Sequence, residues 1–523
     1  MTGTGQLLRL ILRRDRVILP IWVLLLGLLP QLYLSAFQGF FASDAERIQY
    51  AHVSAANAGF AGLYGPLSGD SLVELVVWRA GFLPVMIGLA ALLTVIRHTR
   101  AEEEAGRSDL IRATVVGRWA QLAAALLATL VAGLVIGLLV TGTMIGSGQP
   151  AAGSVAFGAL FTLSAWVFAG VAAIAAQLTS SARGARMIAV LVLGVSYVLR
   201  MGGDISAIGD GRLDWLAWLS PLGWVQKIVP YAENAWWPAV LALLITVVTV
   251  AVASALLTRR DLGSGLLASR LGPAHAGAGL SSVLGLAWRL HRGLLLGWTA
   301  GFAALGVVFG GVGTSVVQLA ENSSSVSEAF SKIGGSGSVT DAYFATTAGT
   351  CALIAALYAV QAGLRMRDEE QNGHAELVLT ASVSRFSWAA SHLLFVLIGP
   401  ALAMTAQGAL AGATFGDVGP VLSAALVQLP AIWVLGAVTM LLIGVLPRFA
   451  AMAWAAVGLS FLILIFGPLL EFPGWAMDVS PFTHVPQLPA AAFTVVPETV
   501  LTLIAIALAG VGLLALRRRD IPA

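Results

Sequence analysis

Charge is scarce in this chain: Asp, Glu, Lys and Arg make up 11% of its 523 residues, against 58% that are apolar. Soluble domains carry about 25% charged residues, so a soluble fold is excluded. Cysteine is almost absent. Cys351 stands alone in an apolar run, which rules out an intramolecular disulfide. The seven histidines show no HxxxH spacing and no CxxC pair accompanies them, so nothing in the sequence calls for a metal site. Lysine is nearly missing too: only Lys227 and Lys332 occur among 29 cationic residues, and each is followed by Ile. A Walker A loop needs Lys followed by Ser or Thr after a Gly-rich turn, so that the ammonium reaches the terminal phosphates. The chain encodes no ATPase of that class. A formal net charge of +3 does not point to nucleic acid either, because the arginines fall at the ends of apolar runs rather than on one patch.

What the chain has in abundance is apolar runs of spanning length. Read with a window of about 19 residues, they fall near 17–37, 76–98, 119–143, 152–178, 187–201 and 237–258, then 293–315, 343–365, 387–413, 419–446, 450–470 and 499–516. The predicted fold is an all-α polytopic membrane protein with about 12 transmembrane helices. The run at 187–201 is the weakest, being short and closed by Arg200. The first run follows Arg9, Arg13, Arg14 and Arg16, like a secretory signal, but it exceeds the about 7–15 residues of a signal core. Retention as a first helix is expected. With both termini in the cytoplasm, 23 of the Lys and Arg residues fall inside and 6 fall outside or within the membrane, as the positive-inside rule requires.

An internal repeat organises the chain. Residues 1–262 and 283–523 form two six-helix halves of the same orientation, joined by a Gly/Ala/Ser-rich linker at 263–282. After the second run of each half comes a charged segment of pattern R-x-E-E-x-x-G-x-x-[DE]-L-[IV], ending in V-x-R. The first copy supplies Arg100, Glu102, Glu103, Gly106, Asp109, Leu110 and Arg118; the second, at an offset of 267, supplies Arg367, Glu369, Glu370, Gly373, Glu376, Leu377 and Arg385. Ser220-Pro221 and Ser480-Pro481 repeat before the last helix, and Arg259-Arg260-Asp261 and Arg518-Arg519-Asp520 repeat after it. Arg13, Arg16 and Trp22 reappear at the same spacing as Arg289, Arg292 and Trp298. The charged segment is expected to form a short amphipathic helix on the inner face. Orientation explains its arginines but not a Glu pair in both copies. Those acids either meet basic residues of another subunit or brace the segment against Arg100, Arg118, Arg367 and Arg385.

The Glu-Glu-x-x-Gly-x-x-[Asp/Glu]-Leu segment after the second helix of each half resembles the coupling helix of ABC-2-type permeases, the membrane subunits of ATP-binding-cassette exporters. The basic run before each first helix resembles their elbow helix, and the fused arrangement is similar to actinobacterial permeases for polyketide or tetronasin-type antibiotics. The resemblance implies the type V (ABCG-like) architecture of two pseudo-symmetric halves forming one pathway in the plasma membrane. It also implies two copies of a separate ATPase subunit, which bind ATP and Mg²⁺, while this chain needs no cofactor of its own. The cargo implied is a hydrophobic or amphiphilic small molecule moving outward. The copies differ at Arg107/His374 and Arg112/Leu379, which leaves open whether both docking sites are equivalent.

Other features are weaker. Glu74 and Asp341, also related by 267, and the Pro-rich outer segments at 203–236 and 471–498 are candidates for an exit path or outer gate. A helix start for the two acids and an interfacial aromatic belt for the outer segments are the alternatives. Gly133-x-x-x-Gly137 and Gly408-x-x-x-Gly412 are read as close helix packing. An ion-coupled secondary transporter would usually keep acids deep in its helices, and nearly all acids here lie at loops or span ends. A membrane enzyme would need paired acids or a His cluster facing the membrane. A lipid exporter of the same class fits the composition as well as a drug exporter does.

Overall fold

The structure, a computed structural model, describes residues 2–41, 43–208, 211–261, 263–267, 274–275, 277–322, 338–466 and 472–519, without the side chains of 110–112, 278, 315–322 and 465–466. The described residues hold no strand and 12 helices long and apolar enough to cross a membrane. Helices satisfy every backbone group within the segment, as a span without water demands. The chain divides into two compact units, Met1–Gly272 and Pro273–Ala523, and each is described by itself.

In the first unit the fourth span, Ala151–Leu178, lies at the centre and packs against the second, third, fifth and sixth. Its Gly, Ala and Ser residues make that approach possible. A Cβ at Gly137 would lie 2.6 Å from the carbonyl oxygen of Gly158, and one at Gly133 would lie 2.6 Å from the Ala165 Cβ. The small-residue motif therefore packs helices, as expected. Trp166 Nε1 donates to the Leu130 carbonyl at 2.9 Å; in the second unit Trp433 Nε1 donates to Leu397 at 3.1 Å. Both positions are related by 267, so the repeat extends to tertiary contacts. The fifth span, Ala182–Ile208, runs beyond 187–201 at both ends, with Arg200 inside it.

The second span of this unit is interrupted by a 3-10 turn, Ala80–Phe82, between Leu72–Arg79 and Leu83–His98. A Cβ at Gly81 would stand 1.8 Å from the Tyr64 carbonyl oxygen. Only glycine permits the outer helix Ala58–Tyr64 to sit that close. Arg79 turns to the Tyr64 hydroxyl, with its guanidinium carbon 4.8 Å from that ring. Burial pushes the Tyr64 phenol above its ordinary value, against the opposing pull of Arg79.

In the second unit the corresponding span, Val339–Gln371, is unbroken and largely buried. The first span, Val283–Asn322, is a single 40-residue helix. This corrects the expectation of a separate elbow helix in both halves: residues 283–292 form opening turns of the span, whereas Thr4–Arg14 in the first unit is its own helix, ended by Asp15. The tenth span is two pieces, Val418–Leu426 and Leu429–Val445, with Pro430 in the first turn of the second piece. The eleventh opens with a 3-10 turn at Pro447–Met452 and continues as Ala453–Phe466; the remainder of 450–470 lies outside the described residues, as do Lys332 and Asp520.

The outer segments form broken helices. Asp214–Leu219 and Pro221–Gln226 lie in one unit, Gly474–Met477 and Pro481–His484 in the other. Pro221 and Pro481 occupy first helical positions, where the missing N–H costs nothing. Glu74 and Asp341 are helix starts, in reciprocal capping boxes. The Ser71 N–H donates to Glu74 at 3.0 Å and the Ser338 N–H to Asp341 at 3.3 Å. Each carboxylate caps its own helix, the helix-start reading given for the two acids.

Candidate functional site

The charged segment does not form one amphipathic helix, and this is a second correction. In both copies the Arg and Glu residues belong to the inner end of the second span, as Arg100–Glu104 and as the last turns of Val339–Gln371. A glycine then turns the chain into a separate six-residue helix, Arg107–Arg112 or His374–Leu379. Gly106 and Gly373 have φ of 69° and 71°, the left-handed region where a Cβ costs about 1–2 kcal/mol. Gly373→Ala is expected to lower stability by about that amount, and Gly373→Asn by less, measured by thermal unfolding of the purified protein.

The second acid of each Glu pair is buried among arginines. In the first unit Arg260 grips Glu103 with both terminal nitrogens, Nη2 to Oε1 at 2.7 Å and Nη1 to Oε2 at 2.9 Å, while Arg100 Nη1 reaches Oε2 at 2.9 Å. Arg100 also donates to the carbonyls of Ala176 and Ser264, and Arg260 donates to Gln177 Oε1 at 2.7 Å. In the second unit Arg367 Nη1 meets Glu370 Oε2 at 2.7 Å, and Arg519 meets the other oxygen. Arg118 donates to the Arg260 carbonyl, and Arg385 to the Arg519 carbonyl. The same lock is therefore built twice. It joins the end of the second span, an arginine just after the last span and the start of the third.

The first acid of each pair is held differently. Glu102 accepts from Arg107 Nε at 2.6 Å and from Arg14 of the elbow helix. Glu102 holds the exposed Arg107 guanidinium above its ordinary value. Glu369 pairs with Arg365 at 3.2 Å and with His374 at 3.3 Å. Arg107 and His374 thus take the same place, despite their different chemistry. Beside Arg14, Asp15 is buried against His98 at 2.6 Å and Arg97 at 3.2 Å, so the elbow is tied twice to the second span.

Of the sequence candidates, Arg100 and Arg367 do brace the Glu pairs, while Arg118 and Arg385 bind backbone instead. Arg14, Arg260, Arg365 and Arg519 were missed. The repeated Arg-Arg-Asp after each last helix was the available signal for two of them. Among the candidates beyond the glycines, Asp109, Glu376 and Leu377 are exposed, the last 74%, as is the backbone-bonded Arg118. The side chain of Leu110 lies outside the described residues.

Comparison with known proteins bears on this architecture. The chain is 41% identical over 529 aligned residues to the multidrug efflux system permease protein Rv1217c of Mycobacterium tuberculosis (strain ATCC 25618 / H37Rv), covering 99% of this chain and 95% of that protein. The family model described as "Multidrug efflux system permease Rv1217c, C-terminal domain" matches residues 6–257 and 280–517. The two matched stretches lie to either side of the boundary between the two units. The chain belongs to the Rv1217c family of multidrug efflux system permeases, as a multi-pass membrane protein.

Proposed function

We propose that this chain is the transmembrane subunit of an ABC-2-type exporter. Two copies of a separate ATPase subunit drive it, and it carries hydrophobic or amphiphilic drug-like molecules out across the bacterial plasma membrane. Both termini face the cytoplasm in this reading, and ATP and Mg²⁺ belong to the partner. The observation that carries the reading is the twin lock. Two short helices, each projecting an exposed acid, follow directly on span ends that buried Glu–Arg clusters of the same design hold in place, and each is tied back to that span end through Arg107–Glu102 or His374–Glu369.

Such an arrangement transmits force. A short helix on a flexible loop would absorb a push from below, whereas one that follows on a span end locked to the third and last spans passes it to the bundle. Closure of the partner subunits on ATP would then bias the equilibrium between inward-facing and outward-facing states. The docking residues on this account are Asp109, Glu376 and Leu377. Glu102, Glu103, Glu369 and Glu370 act behind them as positioning residues. The efflux described for the Mycobacterium tuberculosis relative agrees with the cargo proposed.

The test is Asp109→Arg combined with Glu376→Arg. Both residues are exposed, so folding and membrane insertion are expected to be retained. Association with the ATPase subunit, read by co-purification, is expected to fall at least about tenfold, which corresponds to about 1.4 kcal/mol. Vanadate-sensitive drug transport in vesicles should fall with it. Undiminished association, or transport by the purified chain on an ion gradient alone, would sink the proposal.

A further inference from the structure

We infer that the elbow helix Thr4–Arg14 carries a site for the headgroup phosphate of an anionic phospholipid, held between Arg9 and Arg13. The two arginines are four apart and so share one face of the helix. Both are exposed, and among the described residues neither forms an ion pair, whereas Arg14, one residue on, is committed to Glu102. They line a cavity of about 450 Å³ together with Gln6, Leu10, Thr114 and Val116.

That cavity has a fixed wall. The Gly117 N–H donates to the Thr2 carbonyl at 2.9 Å, which holds the start of the chain against the loop after the charged segment. The inner face of the helix is seated by Leu7 and Ile11 on Ala120, Ala124, Ala125 and Ala128. The lining contains two cations and no acid, which selects an anion. Over the same stretch of chain Leu10, in the lining, and Leu12, Val17 and Ile18 are 54%, 45%, 59% and 49% exposed. A free phosphate has no use for that apolar surface, but acyl chains do. A helix with basic and apolar groups arranged in this way lies in the membrane interface, so the occupant is a phospholipid.

The site is single. At the offset that aligns Arg13 with Arg289, Arg9 aligns with Gly285, so the second unit lacks the pair. Through Arg14 and Glu102 an occupied elbow also abuts the charged segment, so bound lipid stiffens that segment on one side only.

The experiment uses the full-length purified permease and fluorescent short-chain phosphatidylglycerol, with phosphatidylcholine as the neutral counterpart. Phosphatidylglycerol is expected to bind in clear preference. Arg9→Gln with Arg13→Gln should weaken it about fivefold per arginine, roughly 25-fold for the pair. Arg16→Gln, exposed but outside the cavity lining, should leave it unchanged. Arg9→Lys with Arg13→Lys keeps both charges and should bind within about threefold of wild type, which separates lost charge from lost folding. Equal binding of the two lipids, a preference that survives the Gln pair, or displacement by millimolar inorganic phosphate would each overturn the inference.

Discussion

Glu103→Ala is expected to lower the stability of the first unit by about 3–5 kcal/mol, the cost of leaving buried charges without their partner. The size follows from what surrounds the carboxylate. The Arg100, Arg260 and Glu103 side chains are 0%, 3% and 5% exposed, so no water takes over the lost ion pairs. Arg260→Met should be costly as well. The Glu103→Ala, Arg260→Met double variant should lose less than the two singles together, because apolar replacement removes the stranded charge on that side. Arg100 keeps its backbone carbonyl acceptors in every variant. The equivalent change in the second unit, Glu370→Ala, should cost less, because Arg367 and Arg519 are 17% and 14% exposed and stay partly hydrated. Thermal unfolding of the purified variants checks all four. An unaltered midpoint for Glu103→Ala would show that the cluster is not a lock.

The twelve helices were legible because a membrane leaves the sequence so little freedom: each span must be long, apolar and nearly uncharged. Their ends were less so. The second span runs past 98 to Glu104 because Arg100 and Glu103 neutralise each other inside the bundle, and hydropathy counts both as penalties. The repeat found the lock residues through their spacing, yet it assigned Arg118 and Arg385 to the acids when they cap backbone carbonyls. Spacing shows that two arginines matter in the same way without showing which acceptor each one faces. The elbow shows the opposite failure. Arg13 and Arg16 repeat as Arg289 and Arg292, but the helix break at Asp15 does not, since His291 takes the aligned position and the helix runs on. Ser71-x-x-Glu74 and Ser338-x-x-Asp341 carry the four-residue pattern of a capping box in the sequence itself, and the helix-start reading of the two acids is the one the structure shows.

Arg200→Leu is expected to cost about 3–5 kcal/mol and to loosen the outer face of the first unit. In the sequence this residue made the fifth span look weak, since a charge there reads as the end of an apolar run. Its surroundings reverse that reading. The side chain is 1% exposed, donates to the Gly62 carbonyl at 2.6 Å and to Gln226 Oε1 at 3.3 Å, and lies 3.3 Å from Asp204. Gln226 in turn donates to the Gly81 carbonyl at 2.7 Å. One guanidinium therefore ties the fifth span to the outer helix Ala58–Tyr64 and, through Gln226, to the break in the second span. Leucine would leave Asp204, 8% exposed, as an isolated buried acid. Lysine should rescue little, because a single ammonium cannot serve carbonyl, amide and carboxylate in the directions the fork reaches. Adding Asp204→Leu to Arg200→Leu should recover stability but not the tie between outer segments. Limited proteolysis near 211–236 would then remain faster than wild type while the unfolding midpoint returns. If cleavage and midpoint are both unmoved in Arg200→Leu, the outer segments are held by their aromatic packing and the arginine is incidental.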